Sequence, residues 1–175
     1  MKLIKLWEAD LDRTYALQNS FPKEKNGFIN EACGLSREEF KEYVQRREAN
    51  SRGLQLPDGF VPSTVYILEN EDGEYVGIFN FRHCLNDFLR NGPGHIGYGI
   101  GPKYRGRGYA TEGLRLMLQI AGKEIPEDEI FLSVHKDNPA SLKVQLKNGA
   151  YIHGETETEY LTRIPRSGEH RSMGT

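Results

Sequence analysis

The stretch that most restricts what this chain can fold into is "HIGYGIGPKYRGRGYATEGLRLMLQIA", His95 to Ala121. It begins as a glycine-rich strand, turns at Gly101 and Pro102, and continues as a helix with Ala110, Leu114, Met117, Leu118 and Ala121 along one face. A strand that enters a helix through so short a turn aims several unpaired backbone N–H groups at one spot, where the helix dipole adds partial positive charge. Gly106 and Gly108 remove side chains that would block a close approach, and Arg105 and Arg107 add full positive charge. This is the chemistry of a diphosphate cradle. The same residues would also serve a surface turn with two solvated arginines.

Other phosphate readings fail on context. "GPGHIG", Gly92 to Gly97, has the three glycines of a dinucleotide fingerprint but precedes a strand instead of opening a helix. The Gly-Lys-Ser/Thr ending of a nucleoside triphosphatase loop is missing. "RGRG" occurs once, and a formal net charge of -2 gives no reason to expect nucleic acid or an anionic membrane as partner.

On either side of this segment, helix and strand patterns mix. "KLIKLW" alternates as a strand, and "EADLDRTYALQNSF" follows helical spacing. "SREEFKEYVQRREAN" starts with Ser36 and Glu39 at capping-box spacing and places Phe40, Tyr43, Val44 and Arg47 on one side of an otherwise charged helix. "TVYILEN" and "EYVGIFNFRHC" flank a turn and predict a hairpin, while "EIFLSVHK" reads as a strand buried on both faces. "NPASLKVQLKNG" is a short helix with Pro139 in its first turn, and "AYIHGETETEYLTRI" a last hairpin. The expectation is one α+β domain over 1–164, a mostly antiparallel twisted sheet of six to seven strands with flanking helices, and a frayed tail over 165–175.

Two long loops, "PKEKNGFINEACG" and "SRGLQLPDGFVPS", are candidates for function. Phe28, Phe60 and Tyr66 supply apolar pocket walls, with Glu31 or Asp58 as partners for a cationic amine; solvated loops over core aromatics fit these residues equally. Cys33 and Cys84 lack the number and spacing of a disulfide framework or a metal site, which predicts reduced thiols in a cytoplasmic protein and no metal. No apolar run approaches membrane-spanning length, and the N-terminus meets charge too soon for a signal peptide.

"IGPKYRGRGYATEGLRLML" resembles the cofactor motif of the Gcn5-related N-acetyltransferases (GNAT), with Arg105, Gly108 and Ala110 in register. "VHKDNPASLKVQLKNGA" is similar to that superfamily's second cofactor segment, and the resemblance spans roughly residues 60 to 154. It implies a three-layer fold in which the "HIGYGIG" and "EIFLSVHK" strands form a splayed parallel pair. It also implies acetyl-CoA as co-substrate, with its pyrophosphate on the backbone of Arg105, Gly106, Arg107, Gly108, Tyr109, Ala110 and Thr111 and its pantetheine between the splayed strands. A backbone amide between Tyr98 and Ile100 would donate to the thioester carbonyl, and Asn138 would contact the cofactor.

His95 stands where relatives carry a glutamate proposed as general base, and an imidazole of pKa ~6.5 suits that task; His83 and His135 are weaker candidates. Packing or strand capping is the other role open to His95. Many members carry a tyrosine four residues before the glycine that ends the second helix, where it protonates the leaving thiolate; here the position is Gln145. Ser141, one turn earlier, remains as a sulfur contact and candidate acid. The implied reaction is acetyl transfer to a primary amine of a small molecule or peptide in a ternary complex, the alternative being a non-catalytic CoA or acyl-CoA binder or sensor, as a monomer or homodimer.

Overall fold

The computed structural model describes residues 1–166; of the expected tail, Pro165 still belongs to a strand and Arg166 donates to the Asp128 and Ile125 carbonyls, and the rest lies outside the described residues. β1 (Lys2–Lys5) leads into α1 (Leu11–Asn19), a two-residue-strand hairpin of β2 (Glu24–Lys25) and β3 (Phe28–Ile29), and α2 (Arg37–Ser51). Then follow β4 (Ser63–Glu69), β5 (Tyr75–Arg82), the single turn α3 (Asp87–Arg90), β6 (Ile96–Ile100) and α4 (Tyr109–Glu124). β7 (Glu129–His135), α5 (Pro139–Lys147), β8 (Tyr151–Glu155) and β9 (Glu159–Pro165) complete the order. The hairpin β2–β3 stands where the sequence shows only a polar loop; its turn uses Asn26 and Gly27 at φ 51° and 80°, a pairing that a short hairpin favours.

The strands form two main sheets. β1, β4, β5 and β6 make an antiparallel four-stranded sheet in that order, and β7, β9 and β8 a three-stranded one. Alternation along β4 and β5 splits the core into two layers. Tyr66, Leu68, Phe79 and Phe81 pack with Leu114, Met117 and Ala121 of α4, whereas Val65, Ile67 and Ile78 pack with Leu17 of α1 and Phe40 and Tyr43 of α2. Helices cover both faces of the first sheet, the three-layer arrangement expected. Ser36 caps α2, accepting from the Glu39 amide at 3.2 Å, as its capping signature predicts.

The junction of the two sheets shapes the function. Just before β6, Gly94 meets Leu132 of β7 in an isolated bridge, antiparallel in its bonding. Gly94 lies at φ 68°, and a Cβ there would overlap the Phe131 carbonyl, so glycine permits this approach. Past the bridge the strands part, and their facing edges carry no ladder.

Candidate active site

A cleft of about 1090 Å³ opens where β6 and β7 separate. Its walls include Ile96 to Ile100 of β6, Ser133 to His135 of β7, the turn into α4, and the first turns of α5. The hairpin β2–β3 closes one side: Gly27 sits against the His135 ring, and Phe28 packs on Phe21 at 5.5 Å. Phe60 and Phe88, both largely exposed, form the rim.

Gly106 and Gly108 hold φ of 76° and 81°, and a Cβ at either would meet no atom within 4 Å, so the turn faces open space. Gly108 is the N-cap of α4 and offers no side-chain bond to the helix start. Among the described residues, none of the backbone amides from Arg105 to Thr111 donates a hydrogen bond to the protein. A run of unpaired amides at a helix N-terminus is a ready anion site. Arg105 folds back, its Nε 3.2 Å from the Ile100 carbonyl, and braces the turn. Lys143 and Lys147 of α5 face the cleft and add positive charge.

At the inner end stands a pair of hydroxyls. The Tyr98 hydroxyl lies 2.8 Å from Ser141 Oγ, and its ring stacks on Phe79 at 5.4 Å. Burial raises the Tyr98 pKa above the ordinary phenol value, against the pull of the Ser141 hydrogen bond, so the phenol stays protonated through neutral pH. Asn138 caps α5, its side chain accepting from the Ser141 amide at 3.3 Å.

This geometry has family counterparts. The model of the acetyltransferase (GNAT) domain matches residues 1–151. The chain belongs to the GNAT acetyltransferase family. Membership makes it an acetyl-CoA-dependent N-acetyltransferase. Among curated proteins, none matches the chain in sequence. Among solved structures, a spermidine N-acetyltransferase from Vibrio cholerae, in complex with CoA and spermine, is 18% identical with a TM-score of 0.63 over 95% of each chain. The N-acetyltransferase PseH of Campylobacter jejuni, in complex with acetyl-CoA, is 16% identical with a TM-score of 0.63, covering 95% of this chain and 99% of the other. A GNAT acetyltransferase from Streptococcus pneumoniae is 16% identical with a TM-score of 0.60 over 94% and 96%. At these identities the likeness is one of fold.

In this GNAT chain, Ile100, Arg105, Gly106, Gly108, Tyr109, Ala110, Thr111, Asn138 and Ser141 all line the cleft, as do Phe28, Phe60 and Glu31. Arg107 is exposed outside the lining, and Asp58 does not reach it. Tyr66 is a correction: it is 5% exposed in the core beneath α4, where burial pushes its hydroxyl up to about 12.

His95 is the larger correction. It is fully buried and outside the cleft. Its Nδ1 accepts the Phe131 N–H at 2.9 Å, so Nε2 carries the ring proton and donates to Glu127 Oε2 at 2.9 Å. Its own N–H donates to the Phe131 carbonyl at 2.7 Å, and its carbonyl accepts the Arg82 N–H at 2.7 Å. With both ring nitrogens committed, His95 has no lone pair for an amine proton. It stitches β7 to the start of β6.

Of the other histidines, His83 bonds Thr64 Oγ1 at 2.8 Å away from the cleft; His135 lines it, with Nε2 3.5 Å from Glu159 Oε1. Gln145 is buried, donating to the Ser133 carbonyl and accepting from Thr162, a brace between α5 and the second sheet. Neither cysteine lines the cleft, and burial raises the Cys84 thiol, which disfavours its thiolate. Among the described residues no helix is long and apolar enough to cross a membrane, and no His, Cys, Asp and Glu cluster could hold a metal.

Sequence reasoning missed two features of the site. Tyr98 entered only through its backbone amide, although alternation from Ile96 and Ile100 puts its side chain on the α4 face with theirs. Arg47 was legible as the charged residue on the apolar side of α2, and that side faces the cleft.

Proposed function

We propose that acetyl-CoA binds this cleft with its diphosphate on the amides from Arg105 to Thr111, and that the acetyl group passes directly to a primary amine in a ternary complex. The observation that carries the reading is the unpaired amide run at the mouth of a parted sheet. Gly106 and Gly108 leave that mouth open, as a diphosphate requires, so the residues present fit the group. The free edges of β6 and β7 offer the backbone pairing that an amide-bearing pantetheine would take, as an added strand does.

In the reaction the amine nitrogen bonds to the acetyl carbon, the carbon–sulfur bond breaks with its electron pair on sulfur, and the amine releases one proton. A backbone amide of β6 between Tyr98 and Ile100 polarises the carbonyl. Tyr98, held protonated by burial, gives its proton to the departing sulfur, with Ser141 fixing the phenol, and the proton the attacking nitrogen releases restores the phenol. This pair replaces the acid missing at Gln145. The proton of the incoming ammonium passes to solvent through the open cleft, since His95 has no role in it.

Tyr98→Phe is expected to lower kcat about ten-fold while leaving the KM for acetyl-CoA within about two-fold. The effect is modest for a proton donor because a thiol of pKa ~8.5 leaves tolerably unaided. Steady-state thiol release checks it, and an unchanged kcat would remove Tyr98 from the chemistry. The reading as a whole is tested by calorimetric titration with acetyl-CoA beside dephospho-CoA and ATP. Saturable binding of the thioester, much tighter than of ATP, is expected, and no binding at millimolar concentration overturns it.

A further inference from the structure

On the side of β6 away from α4, the cleft wall holds two guanidinium groups with little to neutralise them. Arg47 reaches in from α2 and is 8% exposed. One Nη donates to Ser63 Oγ and Asn80 Oδ1, each at 3.0 Å, and the other lies 3.6 Å from Glu31 Oε2. Its Nε is buried and has no partner. Arg82 projects from the end of β5. One of its Nη atoms donates to the Gly94 carbonyl at 3.0 Å, and the other would stand 3.9 Å from a Cβ on Gly97. All of these residues except Gly94 line the cleft.

Buried charges are ordinarily paired, because a guanidinium taken from water without a counter-charge is costly. Here Ser63 and Asn80 are neutral, and Glu31 is about half exposed at a distance too long for a hydrogen bond. The other acidic residue of the lining, Glu159, faces His135. Burial, aided by repulsion from Arg47, pulls Arg82 down to about 10, the mark of a cation short of partners. Planar forked donors beside neutral acceptors make a seat for an oxyanion, since carboxylate and phosphate match the fork. A polyamine would instead press more positive charge against both groups.

We propose that the acceptor is a primary amine that also carries an oxyanion, a carboxylate or a phosphate, and that Arg47 and Arg82 bind that oxyanion. The proposal rests on the acetyl-transfer reading above. It makes the acceptor chemically unlike spermidine. Arg82, next to Gly97, places the anion close to the strand on which the thioester carbonyl is polarised, and Arg47 sets how far the chain between anion and amine must reach.

The test uses the full chain and thiol release from acetyl-CoA, with amines in matched pairs: L-amino acids beside their carboxamides, phosphoethanolamine beside ethanolamine, and spermidine alone. Acid-bearing members are expected to exceed their neutral partners at least ten-fold in kcat/KM, with spermidine lowest. The pair showing the preference tells carboxylate from phosphate. Asn80→Asp puts a carboxylate within reach of Arg47. It is expected to raise the KM for acid-bearing amines at least ten-fold and erase the preference, with the acetyl-CoA isotherm as control for folding. Arg47→Gln should do the same, and Asn80→Asp decides the matter if that buried change unfolds the protein.

Equal or better turnover of amides or spermidine overturns the proposal and leaves acetyl transfer standing. Loss of acetyl-CoA binding in the unaltered protein overturns both. If acetyl-CoA binds but no amine of the panel turns over, inorganic phosphate is titrated into the CoA complex. Millimolar binding lost in Asn80→Asp supports the seat, and no binding overturns it.

Discussion

Gly108→Glu is expected to raise the dissociation constant for acetyl-CoA more than a hundred-fold. The residue sits at φ 81° as N-cap of α4, and the space beyond its missing Cβ is open. A side chain there meets no clash, so the folded protein loses only the left-handed backbone cost, about 1–2 kcal/mol. The carboxylate, by contrast, lies beside the free amides of the Arg105 to Thr111 turn and can accept from them as a capping residue would. It occupies the anion site and repels a diphosphate approaching it. A hundred-fold loss corresponds to about 2.7 kcal/mol, within reach of one misplaced charge. Gly108→Ala separates the effects, because it carries the same backbone cost without the charge and is expected to bind within about ten-fold of the unaltered chain. Calorimetric titration of both variants gives the answer. A glutamate variant that binds like the alanine one would mean that the turn holds no phosphate.

His95→Ala is expected to cost about 3–5 kcal/mol of stability and to leave turnover per folded molecule unchanged. The ring is fully buried, and removing it leaves a cavity, an unpaired Phe131 N–H and a Glu127 carboxylate without its closest partner. Arg90, 4.0 Å from Glu127, compensates only weakly. The same packing predicts a pH dependence. Burial lowers the His95 pKa below its ordinary value, outweighing the opposing pull of Glu127. The unfolded chain therefore binds a proton more readily than the folded one, so this contribution is complete above the unfolded pKa of ~6.5 and is lost as pH falls through the folded value. Thermal melts between pH 8 and pH 5 should show a decline below about pH 6.5 that is flatter in His95→Ala. A ten-fold fall in turnover at an unaltered melting temperature would return His95 to the chemistry.

The contrast between His95 and Gly108 shows what a sequence discloses about such a site. Gly106, Gly108 and the start of α4 are contiguous, and the anion site they make is built from backbone within one turn, so spacing alone exposes it. His95 satisfies its hydrogen bonds through Phe131 and Glu127, more than thirty residues along the chain. A strand register match cannot report which sheet edge will close over a ring. Arg47 lies between these cases. Its place among Phe40, Tyr43 and Val44 marked a cation on an apolar face, but its neighbours Ser63 and Asn80 come from strands that only the tertiary fold brings near. The two-layer core was readable because alternation and helical period are local. The single bridge at Gly94 was not, since it depends on the meeting of two sheets.

That bridge also bears on handling the protein. Two strand edges with unspent hydrogen-bonding groups are a template for any other extended chain, including a second molecule of the same kind. β6 is glycine-rich and without charge from Ile96 to Ile100, so it has little to repel a wrong partner beyond the cover of β3. A small molecule that fills the gap would cap both edges at once. Concentrated stocks free of such a molecule should therefore aggregate sooner than stocks that hold it, a colloidal benefit separate from any gain in melting temperature.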